Sequence, residues 1–362
     1  MAKKIFGIDF GTNVIKVYKK GEGIILLERT AVSTVGKGKA KRAIAIGEKS
    51  FEMFEKAPPS IDVCFPIHRG VVSHLDDMVQ LWNYMGQKIS GKKKISHCQF
   101  YLAVPADITE VEKQAYSKIV LKSESKPKKV FLIDKPIADA YGLGLDIEKS
   151  KGILIANLGA DTCELSILSL GGLVSTKLIP FGGNDFDHTI QNYIRKKYNF
   201  VIGLKTAEQI KMKLIAAVPK EETITVTGRD LLKGLPREVT VRSTEIIPLV
   251  IDIFEKLAND IRSLLEHTPP EISYEILHNG IYLTGGTSQI EGMDRYLANQ
   301  IKIRVNAAQN AQKTAAEGIG YLAEHPKLAL KYAVPLDKKT MSSIGGFICV
   351  KKPKSQLIRN IF

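Results

Sequence analysis

One pattern occurs twice in the amino-acid sequence, and this internal repeat constrains the fold more than any other feature. Residues 5–18 have the pattern of a strand, a glycine turn and a second strand, and the glycines within 21–23 turn the chain into a third strand. The same order returns over residues 153–168, followed by another glycine turn and a strand up to residue 179. We therefore expect two similar α/β halves, each opening with a β-meander.

Helices and further strands follow each copy of the repeat. In the first half, residues 109–112 have the sequence of a capping box that starts a helix, and the apolar run 130–133 predicts a buried strand leading to a helix after Pro136. In the second half, the patterns predict helices over 182–198, 206–217 and 246–264, strands around 223–227 and 238–241 joined by a turn at 228–230, a strand over 281–283, and a helix from about 291.

Composition excludes several classes of protein. A chain of 362 residues that is 44% apolar can bury a large core, which excludes a disordered or fibrous protein. No stretch approaches the roughly 18 apolar residues of a membrane span, and the N-terminus is unlike a signal peptide, so we expect a cytoplasmic location. The cysteines at 64, 98, 163 and 349 lie far apart, which indicates neither a zinc site nor a disulfide framework.

The chain is strongly basic, with a formal net charge of +14. Such an excess suits an anionic surface, although any single basic run is also compatible with an ordinary solvated face. No recognisable DNA-binding motif accompanies the charge, so no nucleic-acid partner is expected. The basic residues cluster at 37–42, 92–94, 122–129, 195–197 and 351–359.

The turn of each repeat has groups that suit phosphate binding. Gly11 would let the backbone approach an anion, the turn amides and the Thr12 hydroxyl can donate to phosphate oxygens, and Asp9 can hold a hydrated cation. In the second copy, Asn157 takes the position of Asp9 and Gly159 that of Gly11. One such turn is often an ordinary tight turn, but two copies and the later glycine turn at 284–287 favour a shared ligand.

These loops, with the helix between them, occur in the order found in the superfamily of actin, sugar kinases and heat-shock chaperones. Within that superfamily, the chain resembles the MreB/Mbl-like bacterial actins. The resemblance spans about residues 5–323. The segment GRDLLKGLP at 228–236 separates this family from the sugar kinases and the chaperones. The other matching segments are residues 66–72, 104–112, 169–172, 196–203, 206–208 and 280–286.

The resemblance implies an α/β, actin-like fold in which two similar halves surround a central nucleotide cleft. Each half would contain a five-stranded mixed sheet with helices, as in RNase H. The first half would cover residues 1–145, with a small subdomain at about 31–70, and the second half residues 146–330, with a small subdomain at about 181–243. Residues 331–362 would form a C-terminal tail of basic and apolar residues.

The same resemblance implies that the chain binds ATP or ADP with Mg²⁺. Asp9 would meet the magnesium shell as well as the phosphates. Glu208 and Lys211, one helical turn apart, match the family's contacts to adenosine, although without that match they would be an exposed helix pair. The implied nucleotide-binding residues are Gly11, Thr12, Asn13, Asn157, Gly159, Ala160, Asp161, Thr162, Glu208, Lys211, Gly285, Gly286 and Thr287.

Two positions depart from the family where hydrolysis is expected to occur. Lys135 replaces an acid that would position the attacking water, and Asn157 replaces an aspartate near the metal. A charged lysine cannot accept a proton and an asparagine adds no negative charge, so hydrolysis is expected to be weak or absent. The catalytic candidates are therefore Asp9 and, as a substitute for the missing acid, Asp134. Asp161 would either supply a carboxylate or cap its turn.

As a bacterial actin, the chain would polymerise into filaments on the inner face of the cytoplasmic membrane and organise lateral cell-wall synthesis. Its partners would be further copies of itself, the anionic membrane surface and the cell-wall elongation machinery. The membrane loop would fall near 88–95, and the tail at 347–362 would be either a second contact or a terminal extension. The alternatives are a sugar-kinase-type phosphotransferase and an actin that positions plasmids or organelles.

Overall fold

The computed structural model describes residues 4–36, 38–91, 95 and 97–336. Its strands, in chain order, are β1 Lys4–Phe10, β2 Val14–Lys19, β3 Gly23–Arg29, β4 Val32–Val35, β5 Arg42–Ile46, β6 Ile61–Cys64, β7 Ile67–His68, β8 Val71–Val72, β9 Cys98–Val104, β10 Lys129–Asp134, β11 Ile153–Leu158, β12 Cys163–Ser169, β13 Gly172–Ile179, β14 Phe200–Val201, β15 Thr223–Asp230, β16 Pro236–Arg242, β17 Ile281–Thr284, β18 Val305–Ala307 and β19 Val334–Leu336.

Helices alternate with these strands. The α-helices are α1 Glu48–Met53, α2 Leu75–Ser90, α3 Glu110–Lys122, α4 Lys135–Gly142, α5 Gly183–Tyr198, α6 Leu204–Leu214, α7 Ser243–Ile246, α8 Pro248–Glu266, α9 Pro270–Asn279, α10 Met293–Ile301, α11 Thr314–Glu324 and α12 Pro326–Tyr332. Short 3₁₀ helices cover Gly38–Ala40 and Gly286–Gln289. Thr109 caps α3 with the predicted capping box.

The first large sheet contains the first copy of the repeat. Its strand order is β19-β10-β9-β1-β2-β3, with β1, β9 and β10 parallel and the remaining pairs antiparallel. The parallel strands are mostly apolar because both of their faces are covered. On one face, Trp82 of α2 packs edge-on against Phe100 of β9, with ring centroids 5.3 Å apart. The predicted meander of β1, β2 and β3 is confirmed.

The second large sheet contains the second copy of the repeat, in the order β13-β12-β11-β17-β18. Strands β11, β17 and β18 are parallel. The predicted strand, turn and strand order over residues 153–179 is confirmed. Smaller sheets have the orders β5-β4-β6, β14-β15-β16 and β7-β8.

The described residues separate into two compact units, which are not divided by a single cut in the chain. One unit contains residues 4–151, 166–178 and 312–336, and the other contains 152–165 and 179–311. The division into halves and small subdomains that the resemblance implies stays a prediction. Of the expected tail, the structure describes the end of α12 and strand β19, which pairs with β10, and the rest lies outside the described residues.

Some predicted boundaries are wrong. The turn predicted at 228–230 belongs to β15, which pairs with β16 through Arg229 and Pro236, so the connection is displaced to residues 231–235. The helix predicted over 206–217 runs from Leu204 to Leu214. It ends early because Ala216 forms a parallel bridge to Glu291, which takes the backbone out of the helix.

Helix α4 is held against α11 by close backbone contact, and this packing positions the start of α4. A Cβ added to Gly318 would lie 1.7 Å from the carbonyl oxygen of Ala138, and one added to Gly142 would lie 2.0 Å from that of Thr314. Only glycine permits such an approach. The first residue of α4 is Lys135.

Candidate functional site

Asp9 lies near the carboxyl end of β1, in the parallel part of the first sheet. It is paired with Lys16 of β2 on one side and with Ala103 of β9 on the other. Ala103 in turn pairs with Ile133 of β10, and Lys135 follows two residues later at the start of α4. The sheet order therefore brings side chains from β1, β2 and the β10–α4 junction to one edge, where open α/β sheets bind ligands.

Two ammonium groups contact the Asp9 carboxylate. Lys16 Nζ donates to Oδ2 over 2.9 Å, and Lys135 Nζ lies 3.0 Å from Oδ1 as an ion pair whose angles fall outside the hydrogen-bond range. The Asp9 and Lys16 side chains are 5% and 8% exposed, and that of Lys135 is 17% exposed. One buried carboxylate thus faces two cations.

The pKa of Asp9 reflects two opposing effects. Burial raises it, but the charges of Lys135 and Lys16, followed by the hydrogen bond from Lys16, lower it by more, so the pKa lies well below the ordinary 3.8. Asp9 is therefore ionised at every physiological pH. The cluster of one carboxylate and two ammonium groups carries a net charge of +1.

The turn after β1 has the backbone geometry that the sequence predicts. A Cβ on Gly11 would lie 2.5 Å from the carbonyl oxygen of Val14, so the turn requires glycine. Thr30 fixes the turn from outside: its hydroxyl donates to Gly11 O over 2.7 Å, and its amide donates to Asn13 O over 3.0 Å. Gly11, Thr12 and Asn13 are half-buried, which leaves part of the turn open to solvent.

Asp134 lies beside this cluster and has a cation of its own. Its Oδ1 accepts a hydrogen bond from Lys113 Nζ of α3 over 2.7 Å. The carboxylate is half-buried at the end of β10 and makes no capping hydrogen bond to α4. Its catalytic role stays a prediction, and the oxygen that would act as a base already accepts a hydrogen bond from Lys113.

The residues at Asp9 do not fit a hydrated divalent cation. Oδ1 is the buried oxygen without an aligned hydrogen bond, but Lys135 Nζ is so close to it that neither an ion nor a water molecule fits between them. The local net charge of +1 would also repel a second cation. Mg²⁺ sites in proteins use carboxylates whose charge is still available. The negative charge of Asp9 is already compensated by Lys16 and Lys135.

The second phosphate-loop candidate is built on β11 in the other unit. Asn157 pairs with Thr284 of β17, at the carboxyl ends of two parallel strands. The turn closes through the amide of Gly159, which donates to Thr162 O over 2.9 Å. A Cβ on Gly159 would lie 2.8 Å from that same oxygen. The geometry resembles that of the first turn, but its polar residue is neutral.

The start of α5 packs against this second loop. The Gly183 amide donates to Gly159 O over 3.1 Å, and the Asn184 amide donates to Ala160 O over 2.7 Å. The Asn184 side chain also donates to Asp161 Oδ1 over 3.3 Å. Asp161 is 4% exposed, so its carboxylate is buried beside the start of α5, and its role stays a prediction.

Lys211 is held by a residue that was not predicted from the sequence. Its Nζ donates to Asp187 Oδ2 over 2.8 Å and to Gly183 O over 3.0 Å. Burial raises the pKa of Asp187 to about 6, although the charge of Lys211 opposes this. Glu208 lies one turn before Lys211 on α6, is half-buried, and adds a further negative charge near Asp187. The side chains of Glu208 and Lys211 are thus part of a charged group, and are more than an exposed helix pair.

The third glycine turn lies against the second loop. Gly285 has φ of +84°, and a Cβ there would lie 2.3 Å from Leu158 O and 2.9 Å from Asn157 Oδ1. Gly286 begins the short 3₁₀ helix, and the Thr287 hydroxyl donates to Gly159 O over 2.7 Å. The structure therefore brings together the predicted residues from Asn157 to Thr162 and from Gly285 to Thr287.

Several contact residues were missed at the sequence level. Lys16 had a usable signal, since a hairpin turning at Gly11 to Asn13 places it opposite Asp9. No sequence signal indicated Lys113 or Asp187, because each lies on a helix whose contact with its partner depends on tertiary packing.

A separate group of potential metal ligands lies near the start of α2. Cys64, His74 and Asp77 have ligand atoms within 4.8 Å of one another. Lys41 Nζ already donates to Asp77 Oδ2 over 2.7 Å, and burial, followed by the charge of Asp77, raises the pKa of the Cys64 thiol to about 12. A protonated thiol and a paired carboxylate are poor metal ligands, so we assign no metal here.

Comparison with known proteins agrees with the geometry. Residues 3–331 match the family model described as MreB/Mbl protein. The cell shape-determining protein Mbl of Bacillus cereus is 33% identical over 337 residues, covering 91% of this chain and 100% of that protein. Among the described residues, no helix is long and apolar enough to cross a membrane.

Solved structures show the same fold. MreB5 of Spiroplasma citri, in crystal structures bound to ADP and to AMPPNP, superposes with a TM-score of 0.84 at 28% identity, covering 91% of this chain and 98% of that one. The MamK double helical filament superposes with a TM-score of 0.73 at 19% identity, covering 89% of this chain and 99% of that one, which is evidence for the fold alone. The actin-like, mixed α/β fold is confirmed, with β19 as a sixth strand on the edge of the first sheet.

Proposed function

Because the chain belongs to the MreB/Mbl family of cell shape-determining proteins, we propose that it binds ATP or ADP and assembles into filaments. The loops at Asp9 to Asn13 and at Asn157 to Thr162 would contact the phosphates, with Ala160 and Asp161 in the second loop. Gly285, Gly286 and Thr287, with Glu208 and Lys211, would contact the nucleoside. Filaments would form by head-to-tail stacking of copies of the chain.

One observation carries the nucleotide proposal. Each unit has a glycine turn at the carboxyl ends of its strands, and in each turn an added Cβ would clash with the backbone of the same loop. Such backbone geometry brings amide groups close to an anion. It is supported by MreB5, which has the same fold with ADP or AMPPNP bound.

We further propose that the filaments lie on the inner face of the cytoplasmic membrane and guide lateral cell-wall synthesis together with the elongation machinery. Membership of the family supports this role, and so does the net charge of +14. An anionic leaflet attracts each nearby basic residue by about 1 kcal/mol. The expected membrane loop near 88–95 lies partly outside the described residues, and the tail at 347–362 lies wholly outside them.

Hydrolysis is proposed to be slow or absent. The ammonium of Lys135 contacts Asp9 at the position where a base is expected, and an ammonium cannot accept a proton from water. Asp134, the remaining candidate, is bound to Lys113. Phosphate release should therefore be close to background with the natural chain. Turnover that Asp9→Ala abolishes and Lys135→Glu does not increase would contradict this proposal.

Electron microscopy of the purified protein with ATP, in the presence and absence of anionic vesicles, tests the assembly proposal. Filaments that form with ATP and bind to anionic vesicles are the expected result. Monomers that remain dispersed and release ADP only when a hexose is added would indicate a phosphotransferase. Filaments that form with ATP but do not bind to vesicles would contradict the proposed membrane association, and the proposed assembly would stand.

A further inference from the structure

The arrangement around Asp9 has a consequence for the ion that accompanies the nucleotide. We propose that Lys135 replaces the divalent cation, so that this chain binds nucleoside di- and triphosphates without Mg²⁺. The inference rests on the proposed nucleotide binding. It concerns the cation that neutralises the phosphates. This cation is ordinarily a metal ion bound by carboxylates.

Lys135 lies beside Asp9 at the edge of the first sheet. It is the first residue of α4, and its Nζ lies 3.0 Å from Asp9 Oδ1 at the carboxyl ends of the parallel strands. Direct contact at this distance leaves no room for a metal-bound water on that oxygen. The other oxygen accepts the hydrogen bond from Lys16. Asp9 therefore positions ammonium groups where a metal shell was expected.

The charged groups around Asp9 sum to a positive charge. Asp9 with Lys16 and Lys135 has a net charge of +1, and neighbouring Asp134 is neutralised by Lys113 over 2.7 Å. The matching position in the second loop is Asn157, which adds no negative charge. The usual attraction for a divalent cation is thus absent at these positions. The surplus positive charge would instead attract an anion such as a phosphate group.

The two lysines differ in their exposure to solvent. The Lys16 side chain is 8% exposed, whereas the Lys135 side chain is 17% exposed. Of the two side chains, that of Lys135 is therefore the more exposed. An ammonium has three donor hydrogens and acts as a compact charge on phosphate oxygens, as the lysine of phosphate-binding loops does. α4 is also held rigidly, since Gly142 and Gly318 fix it against α11.

Nucleotide affinity in EDTA compared with Mg²⁺ tests the inference, with ATP as the probe in isothermal titration calorimetry. We expect the natural chain to bind ATP with affinities that differ by less than about threefold between the two conditions. In Lys135→Glu, two adjacent carboxylates would need a cation, so its affinity should fall at least about tenfold when Mg²⁺ is removed. Lys135→Arg keeps the charge and should remain insensitive to EDTA.

A matched control is Lys129→Glu, which makes the same charge change at an exposed position at the other end of β10. It should bind ATP as the natural chain does, in both conditions. If Lys135→Glu does not fold, as judged by circular dichroism, Lys135→Gln supplies the second variant. It should lose affinity for ATP in EDTA because the positive charge is gone.

The outcomes separate the two proposals. If the natural chain binds ATP with Mg²⁺ but loses at least about tenfold affinity in EDTA, the inference is overturned and nucleotide binding stands. Equal EDTA sensitivity of the natural chain and Lys135→Glu also overturns it. If ATP and ADP fail to bind in either condition, both the inference and the proposed nucleotide binding are overturned.

Discussion

At the scale of single residues, the buried Asp9 carboxylate and its two lysines are the most consequential group in the molecule. A buried charge is tolerated only when it is compensated, and removing one partner of such a group is far more costly than losing a surface ion pair. Asp9 compensates both Lys16 and Lys135, neither of which is more than 17% exposed. The integrity of the strand edge therefore depends on this one carboxylate.

Replacing Asp9 with asparagine should lower the free energy of unfolding by about 3–5 kcal/mol at pH 7, because the buried Lys16 and the half-buried Lys135 lose their counter-charge. Urea denaturation without nucleotide measures the change. The pKa of Asp9 in the folded protein lies below its ordinary 3.8, so its contribution is present above about pH 4 and is lost as the pH falls further. The difference between natural chain and variant should therefore shrink below pH 4.

Asp146→Asn serves as the control, since its partner Lys149 is on the surface and the pair is exposed. It should change the unfolding free energy far less than Asp9→Asn does. Equal effects of the two variants would show that the Asp9 cluster has no special role in stability.

Asp187 is the opposite case, a carboxyl group whose pKa is raised to about 6 by burial despite the contact with Lys211. A raised pKa means that the folded state binds the proton more tightly, so this group lowers stability as the pH rises from about 4 to 6. Carboxyl carbon NMR should show one aspartate titrating near pH 6. In Lys211→Met the opposing cation is gone, and the same titration should move higher. An unchanged midpoint would contradict the assigned contact.

At the scale of elements, the junction of β10 and α4 positions Lys135, and its location depends on glycines in helices. α4 and α11 approach so closely that side chains are excluded at Gly142 and Gly318. The α3 helix begins with a capping box and contributes Lys113, which binds Asp134 at the same junction. Helix packing and strand order thus determine the site together.

Gly318→Ala should destabilise the protein by about 1–3 kcal/mol or more, because the new methyl group would lie 1.7 Å from Ala138 O and force α4 away from α11. The free energy of unfolding in urea measures this effect. Gly86→Ala in α2 is the matched control, with its nearest contact, the Ile95 Cδ1 atom, at 3.6 Å. That change should be neutral or stabilising by up to about 1 kcal/mol. If both variants lost stability, the cause would be a general effect of alanine in these helices and not the contact between α4 and α11.

At the scale of the whole molecule, each of the two compact units has its own glycine turn at the ends of parallel strands. The two turns differ in charge: the first has a carboxylate bound by two lysines, and the second has the neutral Asn157. The chain has a net charge of +14, to which its basic runs contribute. We expect this charge to attract the chain to an anionic membrane surface.

Replacing Lys92, Lys93 and Lys94 with serine should weaken binding to anionic vesicles by about 100-fold, if each lysine contributes about 1 kcal/mol at the surface. Cosedimentation with vesicles measures this, and added salt should weaken binding of the natural chain. The charge-matched control replaces Lys126, Lys128 and Lys129, which are exposed. Equal losses in the two triple variants would mean that total charge, and not the 92–94 run, determines binding.

Features that depend on local order could be predicted from the amino-acid sequence. Strand alternation, glycine turns and the capping box at Thr109 are set by neighbouring residues, so the two meanders were predictable, as was family membership. The exact helix ends and the β15–β16 connection were not, because pairing with distant strands overrides local preference.

Which charged groups meet depends on tertiary packing. The sequence showed that Lys135 replaces an acid, which predicted a loss of hydrolysis, but not that its ammonium would contact Asp9. That contact depends on the order β10-β9-β1-β2 and on the packing of α4 against α11. The pairs of Lys113 with Asp134 and of Lys211 with Asp187 likewise join separate elements. Burial makes unpaired charges costly, so the fold selects partners that proximity in sequence does not reveal.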